Sequence, residues 1–183
     1  EGFFESVDTE KDDDEKSAPR KRGRGSQKQT TVMVMASTVH DFGNLKKYNK
    51  PTKFRFVKML VVDNLKGQTV GEKVSENIKY DSVVKTDNYR SYSKIKENVW
   101  CHIPQTIKPK EAGKVLPWVH TMISNAKRTL LGVHHMISTK YTQYYLDEFC
   151  YKVNRRNYGD QLFDRLLIAC VTTSNKNIIT HCR

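Results

Sequence analysis

Leu116-Pro117-Trp118-Val119-His120-Thr121-Met122-Ile123-Ser124-Asn125-Ala126-Lys127-Arg128-Thr129-Leu130-Leu131-Gly132 reads as one helix. Pro117 suits its first turn, where a missing backbone N–H costs nothing, and Gly132 suits its end. At about 100° per residue, Trp118, Val119, Met122, Ile123, Ala126 and Leu130 share one arc, which calls for burial. His120, Thr121, Ser124, Lys127 and Arg128 fall on the opposite arc, and Asn125 sits on the border beside Trp118. Such a pattern suits a plain amphipathic helix with a solvated face. It also turns an amide, an ammonium and an imidazole toward whatever lies above it.

The segments before this helix read as strands. Residues 1–7 end a strand on Phe3 and Phe4, and Thr31 to Ala36 is a near-continuous apolar run, the mark of a central strand covered on both faces. Lys53 to Val62 alternates at Phe54 and Phe56, then turns fully apolar, as a strand does when it passes from an edge into a core. A short helix from Val70 to Ile78, with Thr69 as N-cap, leads to a strand over 81–87 that ends in Asp87. Tyr89 to Asn98 is helical, and Trp100 to Ile103 forms a fifth short strand. Beyond the organising helix, apolar positions at i, i+4 predict helices over Thr139–Arg155 and Asp160–Thr173. The plan is α/β, with an antiparallel opening, parallel additions and a cover of helices.

Between the first two strands, residues 8–29 have no apolar periodicity and read as a disordered loop. Its acidic half runs from Asp8 to Lys16. Its basic half carries Arg20, Lys21, Arg22 and Arg24 among glycines, a composition that slides along phosphates without fixed geometry. A merely solubilising loop has the same composition.

The whole chain of 183 residues suits one domain, and its formal charge of +12 favours a polyanionic partner, nucleic acid ahead of an anionic membrane. No apolar run is long enough to span a bilayer, and no signal peptide opens the sequence. The cysteines Cys101, Cys150, Cys170 and Cys182 form no CxxC pair. Two of them lie in apolar helical patterns, so they read as reduced core thiols of a cytosolic protein. Adjacent His134 and His135 point apart on regular structure and lack an acid or Cys at ligand spacing, which argues against a metal pair. There is no Gly-rich phosphate loop and no GxSxG nucleophile elbow. Asp87 is the most pointed acid, because open α/β sheets place ligands at the carboxyl ends of their strands. Thr86-Asp87-Asn88 has equally the composition of a cap for the helix that follows.

Three runs carry a resemblance: Trp118 to Thr121 with Asn125-Ala126-Lys127, Leu131-Gly132-Val133-His134-His135, and Tyr145-Leu146-Asp147-Glu148-Phe149-Cys150-Tyr151-Lys152-Val153-Asn154-Arg155-Arg156. Together with Lys21-Arg22-Gly23-Arg24-Gly25, Thr86-Asp87 and Asp164-Arg165-Leu166-Leu167, they resemble the ISXO-like insertion-sequence transposases over nearly the whole chain. The resemblance implies an RNase H-like, retroviral-integrase-like catalytic domain over residues 1–183, with a mixed five-stranded sheet flanked by helices. It implies the DDE class, in which three side chains bind two Mg²⁺ ions, or Mn²⁺ in their place.

In that class Asp87 matches the second Asp. Asn125 matches the third position of a branch that carries Asn there, followed by a Lys that matches Lys127. The first Asp of the family stands directly before a Glu that Glu1 matches, so this chain is expected to lack one ligand and to be inactive alone. DNA is the implied partner, contacted through Arg20, Lys21, Arg22, Arg24, His120 and Arg128, with homo-oligomer assembly on paired ends and no membrane association. The implied location is the bacterial cytoplasm, at the nucleoid. Three other readings stay open: a non-catalytic DNA-binding remnant of a transposase, an RNase H-like nuclease that cuts without joining, and a basic ribosome-associated protein.

Overall fold

Strand β2, Gln29–His40, is the centre of the fold. The computed structural model describes residues 2–5, 29–40, 52–106, 115–134 and 137–172. β2 pairs antiparallel with β1, Gly2–Glu5, on one side and with β3, Thr52–Val61, on the other. Its alternation is apolar in both phases, so it builds two cores. Val32, Val34 and Ala36 meet Phe54, Val57 and Met59 of β3 with Met122, Ala126, Leu130, Leu146 and Phe149. Met33 and Met35 meet Val62, Val70, Val74, Ile95 and Val99 on the opposite side.

The first core is covered by α2, Pro117–Val133, and α3, Thr142–Arg155, and the second by α1, Gly67–Asn77, and a 3₁₀ segment, Arg90–Glu97. The result is a three-layer α/β arrangement. Helix α2 keeps the expected bounds within a residue, with Pro117 at its start and Met122, Ala126 and Leu130 buried. Helix α1 begins earlier than the sequence suggests. Asn64 Oδ1 accepts from the Lys66 N–H at 3.0 Å and from the Thr69 hydroxyl at 2.9 Å, so Thr69 lies inside the helix and is not its N-cap. Gly71 lets the 3₁₀ segment come close, since a Cβ there would stand 3.1 Å from Asn98 Nδ2.

β4, Val83–Asp87, pairs parallel with β5, Cys101–Gln105, in a separate two-stranded sheet. The expected single five-stranded sheet is therefore found as five strands in two sheets among the described residues. All four residues of β1 are engaged with Gln29–Val32, and among the described residues no ladder runs from its short outer rim to β4. The loop expected over residues 8–29 lies outside the described residues, apart from Gln29, which opens β2.

Strand β3 departs from simple alternation. Ser37 pairs with Phe56 and Thr38 with Phe54, so Arg55 is a bulge. The extra residue shifts the phase. Phe54 and Val57 thereby face one core, 4% and 3% exposed, whereas Phe56 is turned out at 49%. Residues 57, 59 and 61 direct their backbone groups away from β2, toward α3. Val57 donates to Asn154 Oδ1 at 2.7 Å and accepts from its Nδ2 at 2.8 Å. Val61 donates to Gln143 Oε1 at 2.7 Å, and Met59 accepts from Gln143 Nε2 at 3.1 Å. Arg156 donates to the carbonyls of Phe54 at 3.0 Å and bulged Arg55 at 3.3 Å. Side-chain amides thus replace the neighbouring strand that an exposed sheet edge invites.

The Met59 N–H bonds to the Cys150 sulfur, yet burial dominates there and pushes that thiol up to about 11. Cys170 was expected in a core as well, but it is exposed on α4, Gln161–Thr172, a helix with no buried residue. A thiolate population about 100-fold smaller at mild pH, together with burial, makes Cys150 inert. Brief iodoacetamide treatment of the native protein at pH 8 is expected to label Cys170 and spare Cys150, read by peptide mass spectrometry. Equal labelling of the two would show that α3 does not hold Cys150 against β3.

Candidate functional site

Asp87 closes β4, where the ladder to β5 stops at Gln105. Its Oδ1 is shut off from solvent and has no hydrogen-bond partner among the described residues. Burying an ionisable oxygen without a partner is costly, so this oxygen calls for an explanation. The cap alternative finds no support, because the 3₁₀ segment takes Tyr89 as N-cap and receives no side-chain cap bond. Thr86 Oγ1 instead donates to the Asp87 carbonyl at 2.8 Å, and Asn88 Nδ2 reaches Thr106 Oγ1 at 3.3 Å.

Orientation along β4 follows from its neighbours. Val84 packs with the Met33 core, on the α1 side. Asp87, three residues on, points by strand alternation to the face of β4 opposite to that of Val84. Asn125 is half-buried on α2, next to fully buried Ala126, and Lys127 is half-buried two positions on. No hydrogen bond joins Asp87 Oδ1 to either of them, and no extended contact joins β4 to α2. His120 and Arg128 are exposed on the outer arc of α2. Arg20, Lys21, Arg22 and Arg24 lie outside the described residues.

A single unmatched carboxylate oxygen is a donor suited to a hard divalent cation, which typically takes one or two protein carboxylates and keeps several waters. No cluster of three or more His, Cys, Asp or Glu stands together among the described residues, so Asp87 does not form a complete cage with other such side chains. His134 is engaged elsewhere, its ring 4.3 Å from that of Tyr145. A hollow of about 640 Å³ between α1 and the 3₁₀ segment is lined by Glu72, Glu76 and Glu97 with Lys94. Its acid-rich wall is a poor seat for phosphates.

One group near Asp87 was not legible as a site residue. His102 Nε2 lies 2.8 Å from Thr86 Oγ1, and burial lowers the His102 pKa from its ordinary value. In the sequence His102 was one residue of a short strand, and the β4–β5 register, which sets Val84 opposite it, is what brings it to Thr86. Asn154 and Arg156, quoted above in the Tyr145–Arg156 run, act on the β3 backbone and so have a structural duty.

No helix among the described residues is long and apolar enough to cross a membrane. Neither the curated proteins nor the solved structures yield a match to the chain. A family model, the ISXO2-like transposase domain, matches residues 7–154, a span that takes in β2 to β5 and all of α1 and α2, with α3 almost to its end. The α/β architecture with Asp87 at a strand end thus stands in a chain that belongs to the ISXO2-like transposase domain family.

Proposed function

We propose that this chain is the catalytic core of a DNA transposase that cleaves the ends of an insertion sequence and joins them to target DNA. The observation that carries the reading is the buried, unpartnered Oδ1 of Asp87 at a strand end of a transposase-family domain. The two small sheets are proposed as parts of one RNase H-like sheet, a single domain over residues 1–183, in which β4 lies beside β1. Supporting this, Val84 of β4 shares a core with Met33 of β2.

In this reading Asp87 and Asn125 hold Mg²⁺, with Mn²⁺ as a substitute. When bound, the ions polarise the scissile phosphate and favour ionisation of the attacking water or 3′-hydroxyl. Asp87 supplies a charged oxygen and Asn125 a neutral amide oxygen, so Asp87 contributes the larger electrostatic share. Lys127, a compact point charge on the same helix, offsets the charge that develops on the phosphate. His120, Arg128 and the basic segment Arg20, Lys21, Arg22 and Arg24 contact DNA phosphates without reading bases.

Homo-oligomer assembly on paired ends is part of the same proposal. It is supported by α4, whose Leu162, Phe163, Leu166, Leu167, Ile168 and Val171 are all exposed, Val171 at 85%. A nucleoid-bound cytoplasmic enzyme is the corresponding location. The test is incubation of the full-length protein with a duplex carrying the element's terminal sequence, with and without Mg²⁺. Nicks at the element boundary that need Mg²⁺, followed by joined products, are expected. Cutting without joining favours the nuclease reading, and binding without cutting favours the non-catalytic remnant.

A further inference from the structure

The Thr86 hydroxyl has one proton, and it goes to the Asp87 carbonyl at 2.8 Å. Its contact with His102 Nε2, also 2.8 Å, must then be one in which the imidazole donates. This fixes the proton on Nε2 and creates a directed chain: His102 N–H to the Thr86 hydroxyl, and that hydroxyl to the Asp87 backbone carbonyl. The chain sits over the last pairs of the β4–β5 ladder, where Thr86 faces Pro104, which has no N–H to give, and Asp87 faces Gln105. Asp87 Oδ1 has no hydrogen bond of its own among the described residues, so no donor at that oxygen fixes where it points. Its direction is inherited from the backbone at residue 87.

From this geometry we infer that His102, acting through Thr86, is a positioning residue that aims the Asp87 carboxylate. The inference rests on the proposed role of Asp87 toward a divalent ion. His102 and Thr86 lie on the α1 face of the strands, opposite the carboxylate, so they touch neither the ion nor DNA. They act on Asp87 through its main chain, as groups behind a metal ligand commonly do. Such supporting partners are worth about tenfold in metal affinity.

The test uses the full-length protein and Mn²⁺ alone as probe, with free Mn²⁺ measured by electron paramagnetic resonance and Mg²⁺-dependent nicking measured alongside. His102→Ala and Thr86→Val are each expected to weaken Mn²⁺ binding about tenfold, and the double variant no further, because both break one chain. His102→Gln, whose amide N–H donates in place of the imidazole, is expected to restore most of the affinity. Unchanged Mn²⁺ affinity in Thr86→Val, or losses that add in the double variant, overturns the inference. Asp87→Ala separates this from the parent reading. If it abolishes Mn²⁺ binding while the His102 and Thr86 variants do nothing, only the positioning role falls. If it too leaves Mn²⁺ binding intact, the metal role of Asp87 falls with it.

Discussion

Asp87→Ala is expected to lower Mg²⁺-dependent nicking by the full-length protein about 1,000-fold, the equivalent of losing several kcal/mol of stabilisation at the reacting phosphate. The thermal midpoint is expected to stay where it is or to rise. Most buried carboxylates are held by donors, and their removal leaves those donors stranded. Asp87 Oδ1 has no such partner among the described residues, so alanine leaves no donor unmatched there and relieves a desolvated oxygen. The signature is therefore a pair of opposite readings: activity lost, stability kept. Calorimetry and a nicking assay on the same preparation check it. Full nicking by a folded Asp87→Ala protein would remove Asp87 from the chemistry, and a fall in stability would mean that Oδ1 has a structural partner after all.

The second large effect is expected at Asn154, 97 residues from its backbone partner at Val57. Asn154→Ala leaves the Val57 N–H and C=O without their two bonds. At a half-buried edge this costs about 2–3 kcal/mol, or roughly 5–10 °C in Tm for a domain of this size. Asn154→Asp can still accept from the N–H but has no donor for the carbonyl, so an intermediate loss is expected. The alanine variant should also self-associate at high concentration, because an opened strand edge is a template for another chain. Light scattering and thermal melts test both. An unchanged midpoint in Asn154→Ala would mean that water replaces the amide at no cost.

What the sequence made legible, and what it hid, divides along physical lines. Periodicity located α2 within a residue at each end because a proline start and an apolar arc are local signals. It located the doubly apolar β2 for the same reason. It misjudged Cys170, whose helical spacing matches that of Cys150. Spacing shows which residues share a face, and only the tertiary arrangement decides whether that face is covered. The start of α1 was missed because Asn64, outside the helix, accepts from the Lys66 N–H and the Thr69 hydroxyl, which leaves Thr69 a donor within the first turn instead of a cap. The bulge at Arg55 was not legible either, since Phe54 and Phe56 alternate as if both were inward.

At the candidate site, the strand-end position of Asp87 was readable from the apolar run before it, and the reading of its neighbours as a cap was not upheld. The link from His102 to Thr86 spans 16 residues and depends on strand register, which single-chain patterns do not encode. The same is true of Gln143, Asn154 and Arg156. Their partners are backbone atoms, identical at every position, so no partner residue type exists for the eye to find.

The dependence of β3 on α3 has a consequence for how the molecule is made. Translation delivers the strand long before the helix that shields its rim, and the clamp is complete only once Arg156 has emerged from the ribosome. A nascent or prematurely terminated product lacking the last forty or so residues, Gln143 included, carries a naked hydrogen-bonding rim that other chains can join. Reading frames of this kind cut short by a stop codon would thus yield a sticky polypeptide rather than a harmless one.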